Sequence, residues 1–281
     1  MDEKTEILMA ITDPEIIPAF YEKTKIKLNI MISYQYLRGA ASKVAEKFRS
    51  MTRLLFLDSG AFSASQGKSS ITLPEYLGYL KMFGHFFDVV FNFDDKFDDP
   101  EHNWRNQVYL EKGLEGTGIK PVPVVHDVND PFGEFEMYVE GGHSYVAIGS
   151  NKKLEDNVFE KMKKEFPNVK IHMFGTLDRK MLFKHKPYSA DSSSFAQEAA
   201  GGIILYWDPI DEKEYRINVG EREKKGSDFI HFKTFGHRAN LEKFLKTTFN
   251  YDYQDLLTSY EAKSIVNMFF FHQLQDRVNQ S

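Results

Sequence analysis

The chain has 281 residues, 42% of them apolar and 27% charged, the balance of an ordinary folded protein, which excludes disordered and fibrous classes. Its net charge of −5 argues against a surface coated in basic residues, and its lack of cysteine removes disulfides, thiolate metal sites and cysteine nucleophiles. No apolar run reaches membrane-crossing length and the start, Met1-Asp2-Glu3-Lys4, lacks the layout of a signal peptide, so a cytoplasmic protein is expected.

Eight short apolar runs alternate with longer amphipathic stretches. The runs are 27–34, 54–58, 88–94, 121–126, 144–149, 169–175, 188–191 and 202–207. Between them, Leu73, Leu77 and Leu80 repeat at helical spacing around Pro74, a favourable first-turn residue. Leu154, Val158, Met162 and Phe166 form a second stripe that Pro167 closes. Eight strands separated by helices predict an α/β fold of the (β/α)8 TIM-barrel type, and a doubly wound open sheet would need the same alternation. After the eighth run the pattern changes. An added strand is expected at 215–219 and closing helices at 235–248 and 253–278, the last with Asp252 as its N-cap. The whole chain, 1–281, reads as one barrel domain, with 208–281 as a helical extension packed on it.

The residues at the ends of these runs carry the chemistry. The run 54–57 delivers Asp58, Ser59, Gly60, Ala61 and Phe62 into a loop, and in a parallel barrel such loops line the ligand mouth. The carboxylate suits a polar edge or proton transfer and the ring suits a flat face; a plain strand-to-helix turn capped by Asp58 is the other reading. Later runs end in Asp94, in His126, in Gly149, in Phe174-Gly175 and in Asp191. His126 also reads as a strand-end histidine with only structural partners, and Gly149 and Gly175 as turn residues with positive φ. Together they would make an acidic, aromatic-flanked pocket that rejects phosphate and prefers a neutral or amine-bearing group rich in hydrogen-bond donors. Asp95, Asp98 and Asp99 read as solvated turn residues before Pro100. No phosphate-cradling glycine loop, serine-hydrolase elbow or closely spaced histidine pair is present, so neither a cofactor nor a metal is expected.

In order along the chain, these motifs resemble those of tRNA-guanine transglycosylases and their DNA-modifying 7-deazaguanine relatives. Asp58-Ser59-Gly60-Ala61-Phe62 is similar to that family's Asp-Ser-Gly-Gly-aromatic signature, and Phe93-Asp94-Asp95 to its Phe-Asp-Glu. Val124-Val125-His126 falls where the family has a strand ending in Gln. Ala147-Ile148-Gly149 and Met173-Phe174-Gly175 match its base-contacting turns, and Ser189-Ala190-Asp191-Ser192 its nucleophile. The resemblance spans roughly residues 54–195. It implies exchange of guanine for a free 7-deazaguanine base through a covalent Asp191–sugar intermediate, with Asp58 handling the proton. Phe62 and Phe174 would flank the base in a slot, with Asp94 at its edge and Ser59, His126, Gly149 and Gly175 around it. The family's C-terminal zinc site cannot exist without cysteine, and His126 and Ala61 depart from its pattern. These departures favour a compact, zinc-free member acting on DNA rather than tRNA.

For the polymer, Lys184 and Lys186 together with Arg222, Lys224 and Lys225 are the candidate phosphate contacts. The stretch 213–246 holds nine Lys/Arg against five acids. Two rivals stand beside this reading: a barrel glycoside hydrolase using paired carboxylates, and a non-catalytic partner subunit of a transglycosylase. A membrane partner is not expected, and a homodimer is allowed.

Overall fold

Near-continuous apolar runs, buried on both faces, make Glu6–Ile11 (β1), Leu28–Ser33 (β2), Thr52–Asp58 (β3) and Tyr145–Ile148 (β6) strands of a covered parallel sheet. The computed structural model describes residues 4–39, 43–67, 70–128, 132–149, 156–220 and 228–281. The first strands join Val89–Val90 (β4), Val124–Val125 (β5), Lys170–Met173 (β7) and Ser189–Ser192 (β8) in one parallel sheet, ordered β4-β3-β2-β1-β8-β7-β6-β5. The two end strands are drawn together by a parallel bridge between Phe91 and Val122. There the Asn92 amide donates to the Val122 carbonyl at 2.9 Å and the Val122 amide to the Val90 carbonyl at 2.8 Å. The sheet is thus curled into a TIM-type α/β barrel, as the alternation of runs and helices predicts.

The barrel interior is packed, not open. Leu8, Met31, Phe56, Phe91, Val122, Val124 and Ala147, drawn from successive strands, meet in one buried cluster. Outside it, the helix Leu73–Phe83 starts with a capping box between Thr72 and Glu75 and carries its proline in the first turn, as Pro74 suggests. Asp99 caps the helix Pro100–Gly113 by accepting from the His102 amide at 2.9 Å.

The count of eight strands is right, but one of its members is not. The barrel takes β1, absent from the expected set, and leaves out the run 202–207. That run forms Ile203–Asp208 (β9), which turns back antiparallel onto Lys213–Asn218 (β10), with Ile230–His231 (β11) beside it in a separate three-stranded sheet. A four-residue turn, with Glu212 at φ 49°, reverses the chain there. A parallel barrel strand would instead need a helical crossover.

The chain divides into two compact units. One comprises Met1–Pro14, Leu28–Ser192 and Val278–Ser281 and holds the barrel strands; the other comprises Glu15–Lys27 and Ser193–Arg277. The sequence places the start of an extension at 208, whereas the second unit starts at Ser193 and includes Glu15–Lys27. Within it, the single helix expected over 253–278 is two, Tyr253–Thr258 and Tyr260–Gln280, and Asp252 caps the first by accepting from the Gln254 and Asp255 amides. The buried ammonium of Lys263 explains how the break is tolerated. It donates to the Leu256 carbonyl at 2.9 Å and the Ser259 carbonyl at 2.8 Å, groups that the ended helix leaves without intrahelical partners. Among the described residues, no helix is long and apolar enough to cross a membrane.

Candidate active site

The C-terminal ends of the barrel strands converge on a cavity of about 70 Å³. It is lined by Asp58 from the end of β3, Phe62 from the following turn, and Asp94 and Phe97 from beyond β4. Val124 and His126 of the β5 end, Gly149 after β6 and Phe174 after β7 complete it. Six residues expected at the mouth, Asp58, Phe62, Asp94, His126, Gly149 and Phe174, are therefore brought together by the fold. Phe62 is 52% exposed and lies nearly parallel to Phe97, at 5.9 Å between ring centres. Phe97 in turn lies 4.3 Å from the His126 ring. Phe174 is backed by Phe91 at 4.6 Å and by His172 at 4.5 Å.

Asp58 does not cap the helix that follows. That helix, Ala61–Ser65, has Gly60 as its N-cap residue and no side-chain cap, while the Ala61 amide approaches the Ser59 hydroxyl at 3.3 Å. Gly60 is required here, because it sits at φ 78° and a Cβ would lie 2.9 Å from the Ile71 side chain and 3.0 Å from the Ser33 hydroxyl. With its carboxyl released from capping, Asp58 faces the cavity. Burial pushes its pKa up to about 7, the charge of Asp94 and then that of Asp191 add to the rise, and the Ser33 hydroxyl and Gly60 amide oppose it. A carboxyl in this position exchanges its proton near neutrality, where an ordinary aspartate is fully ionised.

Asp94 and His126 form a buried pair with Nε2 to Oδ2 at 2.7 Å. The turn after β5 is held by Glu134, whose carboxylate accepts from the His126 amide at 2.7 Å and the Asp127 amide at 2.9 Å. Burial raises the Glu134 pKa, and those two amides oppose the rise. The function of Gly149 is room rather than a positive φ: a Cβ there would lie 2.5 Å from His126 Nδ1 and 2.7 Å from its Cε1. Gly149→Ala is therefore expected to push the imidazole off Asp94 and cost about 1–3 kcal/mol through overpacking. Thermal unfolding and the His126 ring resonances check this; an unmoved ring would show that the strand end yields instead. Gly175 does adopt a positive φ, 64°, and its amide donates to Asp191 Oδ1 at 3.0 Å. Asp191 is buried, and its Oδ1 also lies 3.2 Å from His172 Nε2.

Two residues of this constellation escape the sequence reading. Phe97 hides among the acids of a turn, its only signal being an aromatic in an otherwise polar loop. His172 stands in the middle of an apolar run, a polar residue at an inward position of β7. Asp95 is structural, held by His102 at 2.9 Å and Asn106 at 3.0 Å. Ser59 is buried in the turn and does not line the cavity.

Of the five basic residues expected to track a nucleic acid, the structure describes two, Lys184 and Lys186. The Lys184 ammonium lies 2.6 Å from Glu160 and 3.4 Å from Asp156, and Lys186 donates to the Ser281 carbonyl. Arg222, Lys224 and Lys225 lie outside the described residues. For metals, the described residues gather one trio in the second unit, Asp208, Asp211 and His237, brought together by the end of β9, the turn after it and the start of the helix Arg238–Phe249. Sequence spacing could not reveal it, since its members come from separate elements. His237 Nδ1 lies 2.6 Å from the buried Asp208 carboxylate, which raises the pKa of the imidazole and favours a proton in that position.

No protein-family model matches the chain, and no curated protein does. Among solved structures, the chain is similar to a "putative fructose-1,6-biphosphate aldolase" from Coccidioides immitis, at 13% identity and a TM-score of 0.56 over 99% of this chain and 93% of that one. It is also similar to CdNal from Clostridium difficile, crystallised with mannosamine, at 14% identity and a TM-score of 0.42 over 69% of this chain and 71% of that one. The first likeness establishes the barrel fold. It also corrects the functional expectation: the structure matched along nearly the whole chain is described as an aldolase, not as a transglycosylase. Exchange of guanine for a 7-deazaguanine on DNA or tRNA is overturned there.

Proposed function

We propose that this barrel is an acid–base enzyme of the lyase kind, which makes or breaks a bond in a small, phosphate-free substrate carrying several hydrogen-bond donors. The observation that carries the reading is Asp58, a carboxyl that titrates near neutrality at the mouth of the barrel beside the Asp94–His126 pair. In a carbon–carbon or carbon–oxygen cleavage, a base takes a hydroxyl or α-proton while an acid protonates the oxygen on which charge develops. Asp58 suits either half of that exchange. Asp94 and His126 supply a fixed polar edge that orients hydroxyl or amine donors, and Phe62, Phe97 and Phe174 narrow the cavity and limit water.

Substrate class follows from the lining. Among the described residues of the lining none is Lys or Arg, while two are carboxylates, which repel a phosphorylated sugar more than a neutral one. The described groups that face the cavity are carboxyls and an imidazole, which support chemistry by proton transfer. A panel of small hydroxycarbonyl compounds, each with and without phosphate, tests this in deuterated buffer by NMR. Deuterium uptake or cleavage confined to phosphate-free members and governed by one ionisation near pH 7 is the expected result. Turnover unaffected by Asp58→Asn would sink the reading.

A further inference from the structure

We propose that His172 is a positioning residue, the centre of a polarised hydrogen-bond chain from Tyr145 through Ser189 and His172 to Asp191, which holds the Asp191 carboxylate ionised and correctly turned. His172 is fully buried inside the barrel, among the rings of Phe56, Phe91 and Phe174. A polar ring in that setting is stable only if both nitrogens are satisfied. Both are: Nδ1 lies 2.8 Å from the Ser189 hydroxyl and Nε2 3.2 Å from Asp191 Oδ1. The Ser189 hydroxyl is in turn 2.7 Å from the Tyr145 hydroxyl.

The direction of the chain follows from what each group can do. An ionised carboxylate only accepts, so His172 Nε2 carries a hydrogen and donates to Asp191. In a neutral imidazole, Nδ1 then accepts, and its only partner is the Ser189 O–H. Ser189 oxygen is thereby free to accept from Tyr145, whose phenol burial keeps protonated. Every donor along the chain points towards Asp191, and the Gly175 amide donates to the same oxygen. Successive bonds of this kind polarise one another in a low-dielectric interior. The consequence reaches the mouth, because the charge of Asp191 is one of the causes that raise Asp58.

The inference rests on the acid–base reading only for its effect on turnover, and its test needs no substrate. Nitrogen-15 NMR of the full chain is expected to show the His172 hydrogen on Nε2, with Nδ1 as an acceptor. An Nδ1–H tautomer, or an imidazolium, would overturn the chain as drawn. Carbon-13 NMR of His172→Phe should show the Asp191 carboxyl resonance moved from its wild-type position by loss of the Nε2–H donor. His172→Gln, whose amide donates in place of Nε2, should bring it most of the way back. An unmoved Asp191 carboxyl resonance in folded His172→Phe rejects the positioning role. If His172→Phe does not fold, Ser189→Ala decides: Asp191 should keep the hydrogen on Nε2 while the Nδ1 nitrogen-15 resonance moves with the loss of its hydroxyl donor, and an unmoved Nδ1 resonance rejects the chain. Failure of the substrate panel with these resonances as expected would strike the proposed reaction and leave the role of His172 intact.

Discussion

Asp58→Asn is expected to lower turnover by about 10²- to 10⁴-fold, the range for loss of a positioned acid–base group, and to stabilise the folded protein at the same time. The second effect follows from the sign of the shift. Burial and the charges of Asp94 and Asp191 raise the Asp58 carboxyl from its ordinary value of 3.8 to about 7. A raised carboxyl means that the folded chain holds a proton which the unfolded chain has already lost, so this group makes folding less favourable as pH climbs through that interval. Below about pH 4 both states are protonated and the penalty is absent; above about 7 it is complete. The neutral amide never ionises, so Asp58→Asn should gain stability progressively between those limits. The gain should level off at roughly 1–3 kcal/mol above neutrality, reduced by the partial solvent contact of the cavity. Urea denaturation at pH 4 and pH 8 measures it. A fall in both activity and stability would identify Asp58 as a structural carboxyl, whereas the opposed changes mark a group held in an unfavourable state for its chemistry.

Much of this site is visible in the sequence because barrel physics concentrates chemistry at one place on each strand. A run such as 54–58 must end in a loop at the mouth, and Asp58, Asp94, His126, Gly149 and Phe174 all stand at such ends. Position along the strand is enough to gather them. It does not disclose what lies within the barrel, and His172 is missed because the run around it reads as uninterrupted core. Nor does position reveal why a residue is small. Gly149 looks like a turn glycine, yet what it provides is space for the His126 ring, a fact that exists only once two strand ends meet. The strand count fails for a related reason. An apolar run declares burial, but whether Ile203–Asp208 joins the barrel depends on the turn after it, and that turn reverses the chain. The resemblance to base-exchanging enzymes has the same weakness. Motifs at strand ends report a barrel mouth lined with carboxylates and rings, and such a mouth serves several chemistries.

The largest stability loss is expected at Asn267, a residue remote from any chemistry. It is fully buried in the helix Tyr260–Gln280, amid the apolar stretch 265–271. Its side chain is spent entirely on backbone: Oδ1 accepts from the Leu205 amide at 2.7 Å, and Nδ2 donates to the Phe195 carbonyl at 2.9 Å and the Ile203 carbonyl at 3.1 Å. One amide therefore ties the start of β9 and the helix Ser194–Ala200 to the long helix, all within the second unit. Asn267→Leu keeps the volume and removes all three bonds, leaving an N–H and two carbonyls without these partners in a buried setting. An unmet buried polar group costs about 1–3 kcal/mol, and partial relaxation brings the expected total to roughly 3–5 kcal/mol. Urea denaturation should show a lower midpoint for the second unit, and hydrogen exchange should show early loss of protection at the Leu205 amide. If Asn267→Leu unfolds at the wild-type midpoint, water or a neighbouring group replaces the lost partners. The amide would then be a filler of space rather than the tie between β9 and its helices.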